Sequence, residues 1–250
     1  MLQSSTLPDG RQLTIYLPPG YGVETKRRYP VLYLQDGQNL FDAVRAFGGQ
    51  HWHVAETATA LIDARTVEPL IVAGIDNTGA NRINEYTHTH DRKRGGGEAD
   101  AYAALVTGTV KPFVDATFRT LCDAGNTGIG GSSLGGLVSL YIALTRADVF
   151  GKAAVMSPSV WWDRRSILRL ARKAPNTRPR LWIDMGTAES MGAGSARRVL
   201  EDARLLKAGL VKAGWIEGID LRYEDIEGGE HNEAAWGSRF GRVLEWLFPR

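Results

Sequence analysis

A single cysteine, Cys122, stands in 250 residues, so no disulfide can form within the chain. No stretch approaches the roughly eighteen consecutive apolar residues that a membrane-crossing helix requires. The opening residues, Met1-Leu2-Gln3-Ser4-Ser5-Thr6-Leu7-Pro8-Asp9-Gly10, carry neither the basic cluster nor the apolar stretch of a secretory signal. A cytoplasmic protein without a membrane partner is the expectation. Thirty basic residues against 28 acidic ones leave a formal net charge of +2. That balance gives no argument for a nucleic-acid partner, and none is expected. There is no internal repeat, no linker-like segment, no Gly-Lys-Ser/Thr phosphate loop and no helical His-Glu-x-x-His.

What is present is alternation. Tyr29 to Gln35, Leu70 to Ile75, Asn126 to Gly130, Lys152 to Met156 and Arg180 to Met185 read as apolar strands. Arg11 to Leu17 reads as a half-exposed edge strand, and Ile219 to Ile226 as an alternating one. Between them lie helical stretches: Gly49 to Arg65, Ala99 to Phe118 with a break expected at Pro112, Leu137 to Leu144, Arg164 to Arg172, Ser195 to Ala213 and Asn232 to Phe248. Strands that are apolar along their whole length, alternating with helices, predict an α/β fold: a mostly parallel central sheet covered by helices on both faces. At 43% hydrophobic and 23% charged, the whole chain, 1–250, fits one such domain without a large cap. Asn77 to Glu98, with Arg92-Lys93-Arg94-Gly95-Gly96-Gly97, reads as a solvated loop.

Within this pattern stands Gly130-Gly131-Ser132-Ser133-Leu134-Gly135-Gly136. Gly131, Ser133 and Gly135 form Gly-x-Ser-x-Gly between a strand and a helix, the setting of a nucleophile elbow. The sharp turn brings the residues two positions either side of the serine so close that glycine is required there. Shifting the frame to Ser132 puts Leu134 where a glycine is needed, so Ser133 is the candidate nucleophile.

A serine hydroxyl needs a base to take its proton. In this type of fold the chain order is serine, acid, histidine. Of five histidines only His231 follows Ser133, in Glu227-Gly228-Gly229-Glu230-His231-Asn232 after the last strand. Two acids are candidates for holding the imidazole: Asp184, within its strand, and Glu189, in the loop Gly186-Thr187-Ala188-Glu189-Ser190. Position beyond the strand end favours Glu189. For an oxyanion, the backbone N–H of Leu134 is one expected donor. The turn Asp36-Gly37-Gln38-Asn39 offers the other, Gln38 ahead of Asn39. Trp161 and Trp162 after a strand end are candidates for a pocket wall. Arg82 is a candidate for an acidic or phenolic group on the substrate, or for pairing with Glu85.

Several blocks in order resemble the esterase D-like esterases of the α/β-hydrolase superfamily, which include siderophore and feruloyl esterases. They are Tyr33 to Asp42; Gly74-Ile75-Asp76-Asn77 with Arg82, Glu85 and Tyr86; the elbow; Ser157-Pro158-Ser159-Val160-Trp161-Trp162; Gly186-Thr187-Ala188-Glu189; and Glu230-His231-Asn232-Glu233 with Trp236. The resemblance implies hydrolysis of a small-molecule carboxylic ester through an acyl-serine, with no cofactor and no metal. It supports Glu189 over Asp184.

Other classes remain in view. His51-x-His53 and His88-x-His90-Asp91 look like metal-ligand pairs, but Arg92 and Lys93 stand where a His-x-His-x-Asp-His site needs its aspartate and its last histidine. An acyltransferase would share the acyl-serine. An inactive hydrolase-fold binding protein would keep the fold without reacting.

Overall fold

The computed structural model describes residues 1–7, 10–173, 177–189 and 195–250. Ser190, which closes the acid loop read from the sequence, and Pro8 and Asp9 of the opening segment lie outside them. Eight strands form one sheet: β1 (Leu2–Thr6), β2 (Gln12–Tyr16), β3 (Val31–Gln35), β4 (Ile71–Ile75), β5 (Thr127–Ser132), β6 (Lys152–Met156), β7 (Arg180–Gly186) and β8 (Leu221–Ile226). Their order across the sheet is β1-β2-β4-β3-β5-β6-β7-β8. β1 and β2 run antiparallel, as do β2 and β4, while every other neighbouring pair is parallel. No helix among the described residues is long and apolar enough to cross a membrane.

The helices are α1 (Val54–Asp63), α2 (Arg82–Glu85), α3 (Ala99–Leu105), α4 (Lys111–Thr117), α5 (Leu134–Thr145), α6 (Trp162–Arg165), α7 (Ile167–Ala171), α8 (Ser195–Lys212) and α9 (Glu233–Leu247). Period-two strand geometry sends successive side chains to opposite faces. Val31 and Tyr33 of β3 join a core with Tyr102, Val114, Leu137 and Leu206 from α3, α4, α5 and α8. Leu32 and Leu34 of the same strand join the opposite core with Val54 and Ala58 of α1 and Trp236, Phe240 and Leu244 of α9. Burial on both faces is what made these strands uniformly apolar in sequence.

Several boundaries differ from expectation for identifiable reasons. β1 was not apparent, because Leu2–Thr6 is mostly exposed and polar and is held by backbone pairing to β2. β2 is therefore interior rather than an edge, and four of its five residues are buried. The break in the Ala99 to Phe118 stretch is a π-helical turn, Val106–Val110, which absorbs the register change just ahead of Pro112. Between Gly49 and Arg65 the helix begins only at Val54, after a 3₁₀ turn at Phe47–Gly49. The basic stretch Arg164 to Arg172 divides where Asp163, Arg164 and Arg165 all take positive φ.

Register aligns the sheet's carboxyl edge. Ser132 of β5 pairs with Met156 of β6, which pairs with Asp184 of β7, and Gly186 of β7 pairs with Ile226 of β8. The residues that follow these strand ends consequently emerge side by side.

Candidate active site

Ser133 sits between β5 and α5 at φ 58° and ψ −122°, a strained conformation for a residue with a side chain. Its backbone N–H is fixed on Met156 O at 3.0 Å. A Cβ on Gly131 would fall 2.9 Å from Gln35 Cβ, and one on Gly135 would fall 3.0 Å from Asp36 Oδ2. Those approaches are why glycine flanks the serine.

The structure brings Ser133, His231 and Glu189 into one hydrogen-bonded chain. His231 Nε2 lies 3.0 Å from Ser133 Oγ, and His231 Nδ1 lies 3.0 Å from Glu189 Oε2. The imidazole stands edge-on to the Trp236 ring, centroids 4.9 Å apart at 82°. Asn232 caps α9 through its Oδ1, which accepts from Ala235 N at 2.8 Å, and so sets where the His231 loop ends.

Glu189 is only 2% exposed. Its Oε1 accepts the Gly186 N–H at 2.9 Å and the Ser157 hydroxyl. Ser157 Oγ in turn accepts from Arg239 Nη2 at 2.6 Å and from Trp236 Nε1 at 3.0 Å. Asp184 lies beneath this layer and is fully buried. It pairs with Arg239 at 3.0 Å and accepts the Trp182 indole N–H at 2.7 Å. Burial pushes its carboxyl up, while Arg239, Trp182 and the Ser157 N–H pull it back. Of the two candidate acids, Glu189 touches the imidazole and Asp184 anchors the floor. Ser157, Trp236 and Arg239 did not stand out as a support network in sequence. An arginine on an amphipathic helix reads as solvent-facing, and only the tertiary fold turns it inward.

Leu134 opens α5, so its N–H has no partner within the helix. Gln38 is the middle residue of a 3₁₀ turn, Gly37–Asn39, entered through Asp36 at φ 56°. Its side-chain Oε1 accepts the Asn77 N–H at 3.2 Å, and the residue lines the serine pocket. That pocket, about 470 Å³, also presents Asn39, Arg82, Glu233 and Trp236.

Arg82 forks onto Asp36, Nε to Oδ1 at 2.7 Å and Nη2 to Oδ2 at 2.8 Å. Glu85, its other expected partner, is instead taken by Arg11 at 2.6 Å. Glu233 is pinned by Asn39 Nδ2 at 2.8 Å and by Trp52 Nε1 at 2.7 Å. Burial pushes its carboxyl up to about 7 despite the Trp52 hydrogen bond, and the nearby Asp36 charge adds to the rise.

The two tryptophans part company. Trp162 is 1% exposed and its indole N–H donates to Thr89 O at 2.9 Å, so it packs in the core instead of lining the Ser133 pocket. Trp161 is half-buried and lines a neighbouring cleft under the Arg94 guanidinium, 5.3 Å from its ring centroid. Ser159, between strand end and tryptophans, lies close to the serine, Oγ to Oγ 3.4 Å. His88 contacts Ser166 Oγ at 3.0 Å, burial pulls its ring down to about 4, and among the described residues it is not grouped with other metal-ligating side chains.

The sheet order, the strained serine and the strand-end loops define an α/β-hydrolase. A model of the Esterase family, described as "Putative esterase", matches residues 4–247, and the chain belongs to that family of hydrolases acting on ester bonds. It is 26% identical over 248 residues to the uncharacterized protein YbbA of Bacillus subtilis, covering 96% of this chain and 93% of YbbA. It is 30% identical over 154 residues to the iron(III) salmochelin esterase of Escherichia coli, covering 61% of this chain but only 33% of that longer protein. Among solved structures it is similar to the BES protein of Bacillus cereus, with a TM-score of 0.76 at 19% identity, covering 100% of this chain and 95% of the other.

Proposed function

We propose that this chain is a serine esterase that cleaves a small-molecule carboxylic ester through an acyl-Ser133 intermediate. The observation that carries the reading is the Ser133 Oγ–His231–Glu189 chain at 3.0 Å for each link. Ser133 Oγ attacks the ester carbonyl carbon while its proton passes to His231 Nε2. Glu189 keeps Nδ1 protonated and stabilises the imidazolium that forms. The carbonyl oxygen, now anionic, takes the N–H groups of Leu134 and Gln38, each such donor being worth roughly 3 kcal/mol to the transition state. His231 then returns the proton to the departing alcohol. Water repeats the sequence on the acyl-serine, with His231 again as base, and releases the acid.

Membership of the Esterase family and the salmochelin esterase relative support an ester substrate. Arg82, at the pocket wall and already paired with Asp36, is the proposed contact for an acidic or phenolic substituent. The exposed thiol of Cys122 suits a reducing compartment, and a cytoplasmic location within a single-domain architecture accompanies the proposal. The test is covalent labelling by a fluorophosphonate read by intact mass, with p-nitrophenyl acetate turnover alongside. One adduct on the wild type, none on Ser133→Ala, and parallel loss of turnover are expected. An unlabelled wild type would overturn the mechanism.

A further inference from the structure

Three chemistry-bearing side chains outside the serine pocket converge without a role in ester hydrolysis. We propose that His51, His53 and Glu56 bind one divalent transition-metal ion of the Zn²⁺ class, and that the bound ion clamps the segment carrying Trp52. One ligand atom from each residue lies within 4.8 Å of the other two. The two imidazole centroids are 4.0 Å apart, and His51 Nε2 is 4.0 Å from Glu56 Oε1.

Local geometry explains the convergence. His53 is the N-cap of α1 and Glu56 its third helical residue, positions that helix entry brings face to face. Yet His53 makes no capping hydrogen bond and takes φ 55°, a left-handed conformation. Ser, Thr, Asp or Asn is the usual choice at an N-cap. A residue that forgoes the cap and accepts strain is a locally unfavourable choice of the kind found at functional positions. Among the described residues no hydrogen bond engages either imidazole.

The chemistry selects the ion. Rings this close repel when both are protonated, whereas neutral imidazoles offer two lone pairs to one metal. Two imidazole nitrogens and a carboxylate oxygen suit Zn²⁺, Co²⁺, Ni²⁺ or Cu²⁺ and leave a position for water. Metal–ligand lengths of about 2.0–2.2 Å put donors roughly 3.3 Å apart, so closing from 4.8 Å takes up to about 1.5 Å of side-chain movement. Glu56, with a side chain 63% exposed, is free to make it. His51 and His53 open onto a cleft of about 680 Å³ that Ala234 and Gly237 of α9 also line.

Trp52, between the two histidines, points the other way. It is 1% exposed, and its indole holds Glu233 in the serine pocket. A metal on the outer face therefore restrains, through the backbone of 51–53, a residue that packs the inner one.

The proposal is independent of the esterase mechanism and is tested by binding. Metal-stripped protein is titrated with Zn²⁺ by calorimetry and with Co²⁺ by absorption, for wild type, His51→Ala, His53→Asn and Glu56→Gln. Asparagine tolerates both the left-handed backbone and the N-cap position, so His53→Asn keeps the fold while removing the ligand. The expected result is one equivalent on the wild type, affinity at least about tenfold weaker in each histidine variant, and a Zn²⁺-induced rise in Tm that His53→Asn lacks. No one-equivalent uptake, or uptake unchanged in both histidine variants, overturns the site. Uptake lost in the variants but without a Tm rise on the wild type overturns the clamp.

Discussion

The hydroxyl of Ser157 donates to Oε1 of Glu189, and through this bond the acid that faces His231 rests on a buried layer of polar groups. Ser157 uses its full capacity there. It donates once and accepts from both Arg239 and Trp236. Glu189 is thereby held by the floor of the site, and its other oxygen is left to the imidazole.

Replacing Ser157 by alanine removes the hydroxyl while keeping a Cβ at the same left-handed position, φ 42°. Trp236 loses its acceptor in the interior, Arg239 Nη2 keeps only Asp184, and Glu189 Oε1 keeps the Gly186 N–H and the more distant Arg239 guanidinium at 3.8 Å. A stability loss of about 1–3 kcal/mol is expected, the cost of leaving the buried Trp236 N–H without a partner. Turnover should fall about tenfold with KM little changed, as expected of a group that acts through Glu189. Urea unfolding and steady-state kinetics read the two effects. Wild-type kcat in Ser157→Ala would remove the positioning role.

Glu189→Gln and Asp184→Asn should fail in different ways. Glutamine places an amide where an acceptor must face His231 Nδ1–H, so kcat should drop by about 10³ or more with the fold retained. Asparagine at 184 takes the nearer counter-charge from the buried Arg239 guanidinium and leaves it only the Glu189 carboxylate at 3.8 Å, a loss of up to about 3–5 kcal/mol. Its surviving folded fraction should turn over within about tenfold of wild type. Thermal melts paired with kcat distinguish the two, and a larger kcat loss in Asp184→Asn would reverse the assignment.

Glu233 makes stability depend on pH. Its folded carboxyl is raised to about 7 from an ordinary value near 4.5. A group shifted upward favours the folded state fully below its unfolded pKa, and that contribution is lost as pH rises through the folded one. Wild type should therefore lose stability relative to Glu233→Gln between about pH 4.5 and 7.5. Denaturation midpoints of both proteins across that range give the difference directly, and a difference that does not change with pH would contradict the buried carboxyl.

The parts of the site that were legible in sequence are those governed by local sterics or by elimination. The spacing of Gly131, Ser133 and Gly135 follows from Cβ clashes within a single turn, and His231 stands alone downstream of the serine. The parallel strands were legible because burial on both faces leaves them almost no polar positions. What escaped depends on long-range placement. Ser157, Asp184 and Arg239 meet only because β6 and β7 end in register and α9 folds back over them. Which tryptophan of the 161–162 pair is buried depends on a partner far away in the chain, the Thr89 carbonyl that takes the Trp162 indole N–H. β1 escaped because its partner is backbone, and its exposed side chains report little of that.

The position of α9 has a consequence for biosynthesis. Among the described elements it is the last to be translated, and it arrives together with the loop that carries His231. A nascent chain that has already completed the Ser133 turn still lacks the imidazole that would take the serine's proton. It also lacks Arg239, which neutralises Asp184, and the Trp236 and Phe240 side chains that close one face of the sheet. The serine proposed as nucleophile is thus made early and its proposed base arrives late, and only a chain able to seal its second core brings the two together.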